Sequence, residues 1–255
     1  MLLASELPAL IQQYFWPFVR MSALFLAAPI FGASTFPVRA RILLAVAATL
    51  LLVPQLPAGE VVDVFSIAGA LLGAQQVVIG AAMGFIVQLV FAAAVIAGQS
   101  LAMTMGLGFA MSVDPQNGVQ VPVLSQLYVI LATLIFLAVD GHLLLIQALA
   151  SSFELLPVGL YAFRETFPLD IVMLGSQMFV SALLIALPAL TAVLLINIAF
   201  GVITRAAPQL NIFAVGFPVT ILAGFIFILL TMPSVFKLML AMFESGMHDA
   251  LLLVR

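Results

Sequence analysis

At 255 residues, with 65% hydrophobic and 7% charged side chains and a mean hydropathy of +1.35, the chain lacks the wettable surface of a soluble domain, which is about 25% charged. Its longest weakly apolar stretch, residues 157–170, falls far short of the roughly 50 residues of an independent unit, so no soluble catalytic domain is hidden in it. The net charge of −3 is scattered over single residues, which argues against a nucleic-acid partner, and the absence of cysteine excludes disulfides and thiolate metal sites.

Proline, glycine and charge divide the chain into about six apolar segments, near residues 9–31, 41–56, 64–106, 119–156, 169–204 and 210–243. Each reads as helix, because backbone groups in hydrocarbon must be satisfied within their own segment and no barrel-type alternation is present. The expected fold class is therefore all-α: a polytopic, membrane-assembled protein of about six long apolar helices in hairpins. The first segment has no cationic n-region before it and is expected to be retained. Arg39 and Arg41 precede the second, and Arg205 separates the last two, which marks both loops as cytoplasmic by the positive-inside tendency.

In the third segment Gly69, Gly73, Gly80, Gly84 and Gly98 fall within about 60° of arc on one helical face. Such a stripe is a close-packing surface, either for this chain or for another subunit. The fourth segment is interrupted by Asp140-Gly141-His142, where Asp140 is expected to cap a restarting helix; a proton relay is the alternative. Asn197 and the glutamines Gln75, Gln76, Gln88 and Gln99 suit interhelical hydrogen bonds. Residues 171–204, at about 1.5 Å per residue, would span roughly 50 Å against a hydrocarbon core of about 30 Å. The segment either folds back within the membrane or leans out of it, and Pro188 permits a kink without ending the helix.

Enzymatic chemistry finds little support. The single lysine, Lys237, lies outside any nucleotide-binding glycine loop; His142 and His248 have no companion at metal-ligand spacing; Gly98-Gln99-Ser100-Leu101-Ala102 misses the nucleophile elbow at its last position. No cofactor is expected. A secondary transporter, with Asp140 and Asn197 at a substrate site, is the rival reading from another class.

Two stretches carry more information. Residues 103–118 combine the methionines Met103, Met105 and Met111 with Gly106, Gly108 and Phe109, then the turn signal Asp114-Pro115. Mobile backbone and adaptable thioethers suit a deformable seal, although an ordinary interhelical loop has the same composition. Residues 204–218 form a hairpin between two long apolar helices, with Arg205, Gln209 and Asn211 as polar groups and Pro208, Gly216 and Pro218 as punctuation. That combination suits a docking surface.

At these residues the sequence resembles the FliR/SctT family of type III secretion export-gate proteins, on its flagellar branch. The resemblance runs through Ala28-Pro29-Ile30-Phe31-Gly32, Pro37, Arg39, Arg41-Ile42-Leu43-Leu44-Ala45 and Pro54. It continues in Asp114-Pro115, Val121-Pro122-Val123-Leu124-Ser125, Asp140-Gly141-His142, Ser152-Phe153 and Pro157, and is most diagnostic in Arg205-Ala206-Ala207-Pro208-Gln209-Leu210-Asn211-Ile212-Phe213 with Gly216-Phe217-Pro218. It implies a non-enzymatic channel subunit of the bacterial inner membrane and flagellar basal body, assembled with FliP and FliQ, contacted by FlhB and FlhA, and passing unfolded flagellar subunits as cargo. Residues 1–165 would be a FliP-like part, containing a pore plug at 103–118, and residues 166–255 a FliQ-like helical hairpin part facing the cytoplasm through 205–218.

Overall fold

The computed structural model describes residues 2–57, 62–108, 123–161, 164–207 and 212–253, with side chains described from residue 11 in the first helix and 215 in the last. These residues form seven α-helices and no strand: α1 (Leu2–Ala27), α2 (Val38–Leu52, continued by a 3-10 turn), α3 (Ile67–Thr104), α4 (Val123–Ala138), α5 (Gly141–Leu155), α6 (Phe167–Ala206) and α7 (Ile212–Leu253). The fold is all-α and polytopic. Four elements, α2 with its 3-10 turn, α3, α6 and most of α7, are long and apolar enough to cross a membrane, and α4 with α5 makes a fifth if counted as one broken span. Six were expected; α1, whose side chains are described only from residue 11, is not counted among the four.

The fourth segment, 119–156, is interrupted at Asp140-Gly141-His142 as expected and forms two helices in its described part. Asp140 adopts the left-handed conformation, φ 53° and ψ 29°, which stops α4 and starts α5. Asp tolerates this region better than most residues with a Cβ. The expected carboxylate cap is not made: the Asp140 backbone carbonyl accepts the amides of Leu143 and Leu144, at 2.8 and 3.0 Å, and the side chain contributes no capping bond. Nor does a hydrogen bond join Asp140 to His142, whose Nδ1 is buried without a partner.

The long helices do not fold back. α6 runs unbroken for 40 residues through Pro188, and α7 for 42 through Pro218 and Pro233. At about 1.5 Å per residue both reach about 60 Å, twice the hydrocarbon thickness. Asp170 in the first turn of α6 and Arg205 in its last complement the helix dipole. Of the apolar stretches of α6 and α7, only 28% and 22% are buried within the chain, against 56% for α3.

Two compact units can be described separately. The first comprises Met1–Leu89, Val139–Gly175 and Phe243–Arg255. In it Ser66 caps α3, its Oγ accepting the Gly69 amide at 2.9 Å. Gly73, Gly80 and Gly84 of α3 face α1: a Cβ at Gly73 would touch the Trp16 ring, one at Gly80 would collide with the Arg20 carbonyl, and one at Gly84 would sit 2.8 Å from both Ala27 Cβ and the Leu24 carbonyl. These three glycines let two helix backbones approach within this chain, whereas Gly69 is crowded only by the carbonyls of Asp63 and Val64 just before its helix. Arg41 Nε donates to the Phe31 carbonyl at 2.7 Å and so staples the α1–α2 connection.

The core of this unit holds a fully buried arginine. Arg20 donates from Nε to Gln76 Oε1 at 2.7 Å, from Nη1 to the carbonyl and Oγ of Ser152 at 3.1 and 3.0 Å, and from Nη2 to the Leu156 carbonyl at 3.0 Å. The guanidinium carbon lies 4.0 Å from the centre of the Phe153 ring. No carboxylate is among these partners. The cation is instead met by carbonyls at the negative end of the α5 dipole, so α1 supplies a cap for α5 across a joint with α3. Beside it, Gln75 Oε1 accepts the Tyr161 amide and fixes the chain leaving α5.

The second unit comprises Val90–Ala138 and Ser176–Met242. Of the seven basic and ten acidic residues of the chain, it holds only Asp114, Arg205 and Lys237. Gly98 lies against the first turn of α4, where a Cβ would come within 2.6 Å of the Ser125 nitrogen, and Ser125 Oγ donates to the Val95 carbonyl at 3.0 Å.

Candidate functional site

The second unit contains the beginning of the methionine-rich stretch, and it is built around how α3 ends. Gly106 is left-handed, with φ 83°. The Leu107 amide reaches back to the Ala102 carbonyl at 2.9 Å and the Gly106 amide to the Met103 carbonyl at 3.2 Å. This pair of bonds is a Schellman cap with glycine at the residue past the helix, the position where a Cβ is most strained.

Two carbonyls of the last turn remain, and side chains from other helices take both. Asn197 Nδ2 of α6 donates to the Thr104 carbonyl at 3.1 Å, and Thr220 Oγ1 of α7 approaches the Met105 carbonyl at 3.4 Å while donating to the Phe217 carbonyl at 3.0 Å. Glycine makes room for the bend: a Cβ on Gly106 would lie 2.7 Å from the Phe217 ring, and one on Gly224 would lie 2.5 Å from Met105 Cε.

The methionines consequently differ. Met105 is fully buried in the notch at Gly224, whereas Met103 is 61% exposed. A cavity of about 260 Å³ opens beside the bend, lined by Met103, Gly106, Asn197, Phe200, Gly216 and Phe217 among others. The structure thus gathers Met103 and Gly106, expected at a plug, with Gly216, expected at a docking hairpin. Gly216 and Pro218 lie inside α7, which begins at Ile212, so the connection after α6 is shorter than the expected 204–218 hairpin. Arg205 is exposed at the end of α6. Gly108 follows the bend against Met103 Sδ. Phe109, Met111, Asp114 and Pro115, with Pro208, Gln209 and Asn211, lie outside the described residues.

Two features were not marked as sites by sequence reasoning. Thr220 and Gly224 are unremarkable on an apolar helix. Arg20 left one signal, as the single charge inside the 9–31 segment, and an ionisable residue within an apolar helix asks for a partner. Ser100, considered as a nucleophile, donates to the Ile96 carbonyl at 2.9 Å within its own helix.

Comparison with known proteins fits this architecture. The family described as "Bacterial export proteins, family 1" matches residues 11–246. The Flagellar biosynthetic protein FliR of Escherichia coli (strain K12) is 41% identical over 220 residues, covering 86% of this chain and 84% of that protein. Its counterpart in Pectobacterium carotovorum subsp. carotovorum is 42% identical over 223 residues, 88% of this chain and 85% of that protein. The Bacillus subtilis (strain 168) protein of the same name is 31% identical over 226 residues, 86% and 85% of the two chains. With its apolar helices and a match of this extent, the chain belongs to the FliR family of bacterial export proteins and is a membrane component of the flagellar export apparatus.

Proposed function

We propose that the chain is a non-enzymatic subunit of the protein-conducting export gate, assembling with FliP and FliQ in the bacterial inner membrane at the flagellar basal body, with FlhB and FlhA as further partners. Unfolded flagellar subunits are the cargo. On this reading residues 1–165 are the FliP-like part and residues 166–255 the FliQ-like part. The observation that carries it is the bareness of α6 and α7: helices about 60 Å long, with roughly three quarters of their apolar stretches unburied by the chain itself. Hydrocarbon covers only about half that length, so the rest calls for apolar protein neighbours.

The methionine-bearing stretch supplies this chain's share of the seal. A gate for variable polypeptide must close without specific hydrogen bonds, and thioethers conform to whatever passes. Met103, Phe109 and Met111 serve as sealing groups, with Gly108 and Asp114-Pro115 shaping the loop and Met105 anchoring it from within. Arg205, with Pro208, Gln209 and Asn211, presents the docking end. The test is affinity purification of the tagged chain from membranes with subunit identification by mass, together with ion flux through the assembled complex. Co-purification of unlike apolar subunits, and a leak on deleting residues 108–117, are expected. A solitary chain that carries a small solute would overturn the reading.

A further inference from the structure

We propose that Asn197 and Thr220 are positioning residues that clamp the end of α3 and so fix the direction in which the methionine-bearing chain leaves it. This rests on the reading of that chain as part of the seal. The Leu101 carbonyl is taken by the Met105 amide, those of Ala102 and Met103 by Leu107 and Gly106, and those of Thr104 and Met105 by Asn197 and Thr220. The first three bonds are internal to the turn and travel with it. Among the hydrogen bonds of the described residues, the last two tie it to α6 and α7.

Packing does not make the tie redundant. Met105 fills the Gly224 notch on one side of the bend, but beside it the 260 Å³ cavity leaves room for the turn to move. The two donors are unequal. Asn197 makes a well-formed bond at 3.1 Å, while the Thr220 hydroxyl has one proton and directs it mainly to Phe217, at 3.0 Å rather than 3.4 Å. Asn197 therefore dominates. Its bond lies on the exposed side of an apolar helix.

The chain has no cysteine, so Met105→Cys gives a reporter whose thiol is buried when the clamp holds. In the complex purified from membranes, modification at position 105 by N-ethylmaleimide is followed by peptide mass spectrometry. Asn197→Leu, which keeps the size and removes the donor, is expected to raise the rate by between about twofold and tenfold, the worth of one hydrogen bond. Thr220→Val should raise it less. A packing role predicts the reverse order, because Asn197 is exposed and Thr220 is 5% exposed. Hydrogen exchange of the Gly106 and Leu107 amides, measured with native Met105, gives the same comparison if the reporter variant does not assemble. Unchanged labelling and exchange in Asn197→Leu would overturn the clamp. Faster labelling without ion leak would uphold the clamp and instead remove the seal reading.

Discussion

Replacing Arg20 tests what holds the first unit together, and the expected order of variants is counterintuitive. The guanidinium is fully buried, and its desolvation costs several kcal/mol that four hydrogen bonds and the Phe153 ring offset. In Arg20→Met the ion and that cost disappear together. The Ser152 carbonyl still accepts the Leu156 amide and Ser152 Oγ still donates to the Leu149 carbonyl, so only Gln76 Oε1 and the Leu156 carbonyl lose a partner. Two stranded acceptors cost about 1–3 kcal/mol each, set against the relieved desolvation, for a net loss of about 0–2 kcal/mol. Arg20→Lys keeps a buried cation but cannot span the four acceptors of Gln76, Ser152 and Leu156 with a compact ammonium, and is expected to cost about 3–5 kcal/mol. The charge-conserving change is thus the more damaging one. Removing Gln76 as well, in Arg20→Met with Gln76→Leu, discards the stranded oxygen together with Nε2, which is buried without a partner, and should recover stability relative to Arg20→Met alone. Thermal unfolding of the purified complex in one detergent ranks the variants. An Arg20→Lys protein as stable as the parent, or more stable than Arg20→Met, would refute the carbonyl-cage account.

Further substitutions probe single joints. Gly106→Ala is expected to cost about 1–2 kcal/mol for the left-handed backbone and about 1–3 kcal/mol more against the Phe217 ring, read as a lower unfolding midpoint that Phe217→Leu partly restores. Gly84→Ala must push α1 away, because its obstacles are the Leu24 carbonyl and the Ala27 methyl, and should reduce the yield of folded protein. Gly201 of α6 has nothing within 4 Å of a notional Cβ, so Gly201→Ala should stabilise the isolated chain by about 0.5–1 kcal/mol. A fall in complex recovery with that same variant would place a neighbouring backbone there. At Asp140, Asn should be tolerated and Val should cost about 1–2 kcal/mol in unfolding free energy, since β-branching opposes φ near 53°.

Periodicity and apolar length were legible in the sequence because they are local: the bounds of α2, α3 and α6 lie within a few residues of those read from proline, glycine and charge. The Asp140 break was legible in place but not in mechanism. Asp beside Gly suggests a side-chain cap, yet the backbone carbonyl makes the bonds once the residue turns left-handed. The glycine stripe was legible as a surface, but its partner was not. Nothing within α3 distinguishes α1 from a foreign helix, and only the closeness of Ala27 and the Arg20 carbonyl assigns Gly84 and Gly80 to packing within the chain.

The site itself shows why such partners escape a linear reading. Met103 and Met105 are two residues apart and chemically identical, yet one is fully buried and the other 61% exposed. Their difference is set by Gly106, which turns the chain, and by Gly224, more than a hundred residues away, which opens the notch for Met105. Composition therefore singled out the region proposed as a seal, while which methionine is exposed there follows from a helix ending at one particular carbonyl. A one-residue shift of that ending rotates both methionines by about 100°, half the roughly 200° that separates them, so a register change in α3 should carry Met105 out of its notch without putting Met103 in its place. Inserting one alanine after Ala102 tests this consequence: it should expose the second methionine to a maleimide-independent probe such as mild peroxide, with sulfoxide found on the residue that Met105 becomes. Continued protection of that residue would show that the notch, rather than the helix ending, sets the register.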